Sequence, residues 1–257
     1  RTILLLAVMS LPPLVSPAAA TTDPAVLMEQ GHEAFQRGAF GEAYTVWKET
    51  AQLYGAQHDV ARQGHALVGA AHAAHRLGRL TEAMQSLELA LVLARSQPDV
   101  DGRAAILAQL GRVLLDSRHL DQAGEYLDQA DALLADHPSP ALRASVTHDH
   151  ALLAARRHQP DLALTRFLET IRLADHTGLR ALALHARVNA ARTALQLGRH
   201  AESRTWLDQA LGQASHLAAN HDTASAWMNI GLLYRQLAAV RPDLRAPLLL
   251  RAAGALQ

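Results

Sequence analysis

Histidine is the side chain with which this protein could most readily do chemistry, because the chain has fifteen histidines and no cysteine. His72 and His75 are three residues apart, which places them on one face of a helix, and His65 lies two turns earlier. A helical histidine pair can bind zinc, but a zinc site needs a third ligand and groups that orient the ligands. No third ligand stands at a suitable spacing and no HExxH motif occurs. Solvated histidines are therefore favoured over a metal site, and no cofactor is predicted.

Neither catalysis nor nucleic-acid binding is indicated by the motifs or by the composition. A nucleophile needs a base oriented by a third group, and no GxSxG, P-loop or Rossmann glycine pattern occurs. The lack of cysteine excludes a cysteine nucleophile, thiolate metal ligands and disulfides. The formal net charge is +0 and only 4% of the residues are aromatic, which disfavours a nucleic-acid surface. The chain is predicted not to be an enzyme.

A pattern of small and large side chains that recurs every 40 residues must position these polar groups. The first small residue of the pattern lies at Gly31, Ala71, Gly111, Ala151, Ala191 and Gly231. The second small residue lies at Ala43, Ala83, Ala123, Ala163 and Ser203. A large apolar residue follows at Trp47, Leu87, Leu127, Phe167 and Leu207, and a third small residue at Thr50, Ala90, Ala130, Thr170 and Ala210. Small side chains at these spacings let two antiparallel helices interlock, so the pattern predicts stacked helix pairs.

The sixth repeat is interrupted between its two predicted helices. The three residues Arg241, Pro242 and Asp243 stand where extra chain is expected. We predict that the register returns three residues late, at Ala246, Leu250 and Ala253.

Two stretches carry a family resemblance. Residues 226–234, with Trp227, Gly231 and Tyr234, and residues 78–83 (Gly-Arg-Leu-Thr-Glu-Ala) resemble the first helix and the turn into the second helix of the tetratricopeptide (TPR) repeat. The resemblance extends over about residues 24–257, and the 40-residue period resembles the longer-helix variant in kinesin-light-chain-like and related bacterial repeats. Forty residues also fit HEAT and armadillo repeats, but the glycine between the helices favours TPR.

The resemblance implies an all-α fold, a right-handed α-solenoid of about six antiparallel helix pairs. Repeats are expected to start near residues 24, 64, 104, 144, 184 and 224. In repeat 1 the first helix is predicted from about Pro24 to Arg37 and the second from about Gly41 to Leu53. TPR-like solenoids are non-catalytic scaffolds that hold a protein or peptide partner in a concave groove. The resemblance therefore implies a protein-interaction scaffold.

The groove positions of the family carry over to thirteen residues that form the candidate binding site. They are His32, Phe35, His65, His72, His75, Arg76, Arg112, His148, Arg156, His185, Arg192, Met228 and Arg235. Asp116 is the one acidic residue that accompanies them. A basic groove predicts an acidic peptide held by arginine, with apolar support from Phe35 and Met228. The alternative is a solvated polar face that binds nothing.

The chaperone-binding clamp of some TPR proteins does not carry over to this sequence. That clamp is made of lysine and asparagine, whereas the only lysine here is Lys48, on a predicted second helix. Histidine and arginine occupy the clamp positions instead, so binding of a chaperone tail is not expected.

Residues 1–20 resemble a secretory signal peptide. Arg1 precedes an apolar run, and Ala18-Ala19-Ala20 supply a cleavage site, so cleavage after Ala20 is predicted. A membrane anchor is the alternative, but three prolines interrupt the apolar run before it reaches the length of a span. The mature solenoid, residues 21–257, is accordingly expected in a periplasm or outside the cell, with no membrane span.

The repeats also resemble the N-terminal half of bacterial TPR–CHAT proteins, in which a caspase-like protease-fold domain follows the repeats. In that alternative the catalytic residues would lie beyond this sequence. The apolar residues Leu248, Leu249 and Leu250 near the end of repeat 6 are expected either to contact further chain or to mediate self-association.

Overall fold

Each 40-residue repeat folds into two antiparallel helices in the computed structural model, which describes residues 23–136, 139–218 and 221–256. The first helices of the pairs, called A helices here, are α1 (Pro24–Gln36), α3 (Val60–Arg76), α5 (Val100–Asp116), α7 (Pro140–Arg156), α9 (Arg180–Gln196) and α11 (His221–Val240). The second helices, called B helices, are α2 (Phe40–Ala56), α4 (Leu80–Ala94), α6 (Leu120–Asp136), α8 (Pro160–Thr177), α10 (His200–Ala214) and α12 (Arg245–Leu256). The predicted signal peptide lies outside the described residues.

The predicted helix bounds of repeat 1 agree with α1 and α2 to within three residues. The A helices of repeats 2 to 5 begin four residues before the expected repeat starts. Asp59 and Asp99 define these starts for α3 and α5, since each carboxylate accepts a hydrogen bond from a backbone N–H in the first turn.

The small–large–small pattern forms the core between the helices. In repeats 1 to 5 every residue of the pattern is buried, and Leu87, Leu127 and Leu207 have no exposed surface at all. A Cβ added to Gly111 would lie 2.8 Å from the side chain of Leu127, so α5 and α6 approach more closely than any larger residue would allow. The predicted all-α solenoid of six antiparallel helix pairs is therefore confirmed.

The sixth repeat departs from the predicted register. α11 continues to Val240 where the other A helices would end at residue 236, and a 3₁₀ turn (Pro242–Leu244) follows it, so α12 begins five residues late. Within α12, Leu248, Ala252 and Ala255 are buried, whereas Ala246, Leu250 and Ala253 are exposed. The prediction of a three-residue delay is wrong, because the extra helical turn in α11 cannot be seen from the position of Pro242 alone.

The A helices line the inner, concave side of the stack. They contact one another directly in the pairs α1–α3, α5–α7, α7–α9 and α9–α11, in addition to their B-helix partners. Between α3 and α5 this contact is weaker. Within the described ranges no helix is both long enough and apolar enough to cross a bilayer.

Candidate functional site

An open groove of about 670 Å³ lies on the concave side between α1, α3 and α5. Its apolar lining includes Met28 and Phe35 from α1, Val68 from α3 and Ile106 from α5, while Trp47 reaches it from α2. We call it the N-terminal groove. It is a concave, mainly apolar surface with a few polar groups at its edge, which is the usual character of a binding site.

The N-terminal groove lies where α3 and α5 make little direct contact with each other. At their C-terminal ends the two helices are joined by His75 and Asp116, whose Nε2 and Oδ2 atoms are 2.7 Å apart. Three of the α3 residues that line the groove, Ala61, Gly64 and Gly69, have a methyl group or no side chain at all. A Cβ added to Gly64 would meet no atom within 4 Å, so the space above this residue is open.

Trp47 fills the space between α1 and α3 at the base of the N-terminal groove. Its indole lies between Gly31 and Gly69, where an added Cβ would come within 3.0 Å of the ring in each case. His32 makes an edge-on contact at a ring-centroid distance of 5.2 Å, and Phe35 packs at 5.7 Å. Trp47 is 3% exposed, and its buried Nε1 has no hydrogen-bond partner among the described residues. The residue is therefore a fixed base of the groove rather than a mobile rim.

Alanine substitutions at the glycines of α1 and α3 are expected to change the stability of the fold in opposite directions. Gly31→Ala and Gly69→Ala are expected to lower the free energy of unfolding by about 1–3 kcal/mol, because the methyl group would overpack the indole. Gly64→Ala is expected to raise the free energy of unfolding by about 0.5–1 kcal/mol, because alanine favours a helix and the site is open. Urea unfolding followed by circular dichroism measures all three variants. Equal effects at Gly64 and Gly69 would contradict the packing described for Trp47.

The two charged residues on the rim of the N-terminal groove, Arg103 and Asp99, have opposite signs, and both are hydrogen-bonded to the backbone. Burial lowers the pKa of His72 to about 4, so this histidine is neutral at physiological pH. Arg103 donates to the backbone carbonyl of Gln97 at 2.7 Å, and Asp99 accepts from the backbone N–H of Gly102 at 2.8 Å. The two charged rim residues are thus engaged in holding the start of α5.

The central part of the concave side contains an ion pair whose carboxylate is buried. Arg112 on α5 donates to both carboxylate oxygens of Asp149 on α7, with distances of 3.1 Å from Nε to Oδ1 and 2.9 Å from Nη2 to Oδ2. Asp149 has no exposed surface. Burial alone would raise the pKa of Asp149, but Arg112 and His148 hold it below its ordinary value. Arg112 is therefore a structural cation between two repeats.

A second network surrounds Asp116. Its carboxylate is bonded by His75, as described, and by Nη2 of Arg156 at 3.3 Å, while Nη1 of Arg156 donates to the carbonyl of Leu115 at 3.1 Å. The hydrogen bond from His75 is the main reason that the pKa of Asp116 is lowered. The prediction of an open basic groove is therefore wrong in this central region, because Asp116 and Asp149 neutralise its cations.

Two arginines near the C-terminal end of the concave side lack such partners. Arg192 donates to the side-chain carbonyl of Asn229 at 2.9 Å and of Asn189 at 3.3 Å, and Arg235 is exposed. Within the described part of the chain neither forms an ion pair with a carboxylate. Burial lowers the pKa of Arg192. Met228, which is 53% exposed, lies on the same helix as Asn229.

The structure distributes eleven of the thirteen predicted site residues over three regions, and the other two lie elsewhere. His32, Phe35, His65 and His72 line the N-terminal groove. His75, Arg112, His148 and Arg156 belong to the central networks. Arg192, Met228 and Arg235 lie on α9 and α11. Arg76 stacks on Phe40 at 4.9 Å, and His185 is partly buried on α9.

Sequence reasoning missed Asp149 and the role of Trp47 at the base of the groove. A usable signal was the presence of Gly64 and Gly69 inside one predicted helix, because a glycine there needs a packing or functional reason.

No group of three or more histidine, cysteine or acidic residues is arranged to hold a metal ion in residues 23–136, 139–218 and 221–256.

Comparisons with known proteins support the repeat assignment. Residues 64–97 match the family model of the tetratricopeptide repeat. No curated protein sequence matches the chain. The TPR resemblance is thus confirmed, while the link to CHAT proteins stays a prediction.

Solved structures show the same fold at low sequence identity. A Podosopora anserina protein described as a kinesin light chain with nearly identical TPR-like repeats is 18% identical, with a TM-score of 0.58, over 74% of this chain and 94% of its own. A Rap protein complexed with competence and sporulation factor is 13% identical, with a TM-score of 0.73, over 90% and 72%. The Rap conjugation gene regulator of plasmid pLS20, in complex with the Phr* peptide, is 14% identical, with a TM-score of 0.67, over 90% and 73%.

Proposed function

We propose that this chain is a non-catalytic scaffold that binds an extended peptide segment on its concave side. TPR-like helical repeats are typical of protein-interaction scaffolds, and two proteins of similar fold were solved with factors bound, one of them the Phr* peptide. The observation that carries the proposal is the open N-terminal groove with Trp47 at its base. A ligand that covers this apolar surface would remove it from water.

The polarity of the concave side differs along its length, and the proposed ligand has apolar and acidic parts that match it. One or more apolar side chains would occupy the N-terminal groove, whose charged rim residues are already engaged. Acidic side chains of the same segment would face Arg192 and Arg235, which have no carboxylate partner within the described residues. The central arginines would not take part, because Asp116 and Asp149 hold them.

A displayed library of random peptides tests this function even while the natural partner is unidentified. Selection on the immobilised chain is expected to enrich peptides that combine an apolar residue with an acidic one at a constant spacing. The enriched peptides would then be synthesised and their affinities measured by calorimetry. Failure to enrich any common sequence would contradict the proposed function.

The proposed preference for an acidic peptide is tested by reversing the charge of the two arginines. Arg192→Glu combined with Arg235→Glu is expected to weaken binding of a selected acidic peptide at least about tenfold, since two attractive charges become repulsive. The matched control is Arg95→Glu with Arg172→Glu, because both arginines are exposed and associated with B helices. Equal affinity of the two double variants would mean that Arg192 and Arg235 do not contact the ligand.

Export to a periplasm or to the cell exterior is proposed from the signal-peptide pattern of residues 1–20. Sequencing of the mature N-terminus in the natural host is expected to begin at Thr21. An intact precursor confined to the cytosol would contradict export.

The alternative of a longer TPR–CHAT protein is tested by the mass of the protein isolated from its natural host.

A further inference from the structure

Helix α12 has apolar residues on two opposite faces. Leu248, Ala252 and Ala255 face inward and are at most 5% exposed. On the opposite side of the helix, at helical spacings of three and four residues, lie Ala246, Leu249, Leu250 and Ala253, all exposed. Leu249 is 41% exposed and Leu250 is 76% exposed. We call these four residues the outer stripe.

The outer stripe has the small–large–small order that the inner helices use for packing. Elsewhere in the chain this order is buried against a neighbouring helix, as at Ala83, Leu87 and Ala90. Charge does not interrupt the stripe, because the neighbouring Arg251 is turned towards Asp208, with which it forms an ion pair inside the chain. The stripe therefore has the character of a helix-packing surface rather than of an ordinary solvated face.

The outer stripe is complementary to itself. If two copies of α12 pair in antiparallel fashion about the midpoint between Leu249 and Leu250, Ala246 of each copy faces Ala253 of the other. The same rotation places Leu249 opposite Leu250. Small residues at both ends permit close approach, and leucines fill the centre. Arg245 then falls opposite Gly254, which has no side chain to obstruct it.

We propose that the outer stripe of α12 binds the outer stripe of a second copy of this chain, giving a two-fold symmetric, antiparallel dimer. A two-fold axis requires one surface that is complementary to itself, which the stripe provides. The formal net charge of +0 means that no net charge repulsion opposes association of two copies. One helix pair buries less surface than a stable dimer interface, so the dimer is weak and reversible. This inference is independent of the peptide groove.

Sedimentation equilibrium of the purified chain tests the dimer over protein concentrations from roughly 1 µM to roughly 500 µM, a range suited to a small interface. The apparent mass is expected to rise from that of one chain towards that of two. Leu250→Glu is expected to keep the chain monomeric throughout, and its exposed position leaves folding intact. Val92→Glu is the matched control, since Val92 is 59% exposed on α4 and the variant should dimerise normally. A wild-type chain that stays monomeric, or a Leu250→Glu chain that still dimerises, would overturn the proposal.

The geometry of the pairing is tested by cross-linking, because the chain has no cysteine of its own. A mixture of Ala246→Cys and Ala253→Cys chains is expected to form a disulfide between the two different variants under mild oxidation. Each variant alone should cross-link at least about tenfold less, because equivalent residues are a helical turn or more apart across the pair. Efficient cross-linking of Ala246→Cys with itself would indicate parallel helices and would overturn the proposal.

Discussion

Replacing Arg112 by alanine is expected to lower the free energy of unfolding by about 3 kcal/mol, at the lower end of the range for breaking a buried ion pair. Asp149 has no exposed surface and would lose all three hydrogen bonds from the guanidinium. The lower end applies because the side chain of Arg112 is itself 39% exposed, which weakens the interaction. Urea unfolding at pH 7 measures the change. Arg172→Ala, an exposed arginine on α8, is the control and is expected to change the value by less than about 0.5 kcal/mol.

The pH dependence of the same variant identifies Asp149 as the cause. In the wild-type chain the pKa of Asp149 is lowered, so its stabilising contribution is present above the unfolded pKa and is lost as the pH falls through the folded value. Without Arg112, burial is expected to raise that pKa, and the unpaired carboxyl then destabilises the fold increasingly as the pH rises. The difference between wild type and Arg112→Ala should therefore shrink below about pH 4. A difference that stays constant between pH 3 and pH 7 would contradict this origin.

Filling the N-terminal groove is expected to abolish peptide binding without damage to the fold. Gly64→Phe places a ring in the open space above α3, where the ligand is proposed to lie. We expect the affinity for a selected peptide to fall at least about a hundredfold, equivalent to about 2.7 kcal/mol. Calorimetric titration of the variant and of wild type measures the change.

The chain offers a close control for this substitution. Gly212 on α10 is also helical, and a Cβ there likewise meets no atom within 4 Å, but it lies on a B helix away from the groove. Gly212→Phe is expected to bind the peptide with wild-type affinity. Loss of binding in both variants would show that the phenylalanine acts through the fold and not through the groove.

The repeat was predictable because closely packed helices require small residues, and these recur at a constant spacing in the sequence. Gly111, Ala123 and Ala130 are recognisable from the pattern alone, and all three are buried. The pattern was less informative in repeat 6, where an extra turn of α11 moved the buried face of α12 by two residues from the predicted register. A helix can be extended by a turn with no change in composition, so this shift has no clear mark in the sequence.

The electrostatic character of the concave side was harder to predict than the fold. Arg112 and Asp149 are 37 residues apart, and so are Arg192 and Asn229. Other hydrogen bonds between successive A helices join residues 40 or 41 positions apart, such as Arg156 with Asp116 and His75 with Asp116, so the separation is not constant. A list of groove residues taken repeat by repeat shows the charges but not which of them face each other. For that reason the pairing of Asp149, which stands between two histidines in the sequence, cannot be seen from the sequence alone.

The groove itself was only partly predictable. His32 and Phe35 were identified from the family's groove positions, and both line it. Trp47 was assigned to packing, which is correct, but its ring also forms the base of the groove between α1 and α3. This dual role depends on the absence of side chains at Gly31 and Gly69, and therefore on contacts between repeats.

Protection of a single thiol in the N-terminal groove would locate the bound peptide most directly. Because the chain has no cysteine, Gly64→Cys and Gly212→Cys each introduce one unique thiol. The rate of alkylation by a maleimide is measured with and without a saturating amount of a selected peptide. We expect the peptide to slow alkylation at Gly64→Cys at least about tenfold, since an occupied site excludes the reagent, and to leave Gly212→Cys unchanged. An unchanged rate at Gly64→Cys, with the peptide shown to be bound, would place the ligand elsewhere and contradict the proposed binding site.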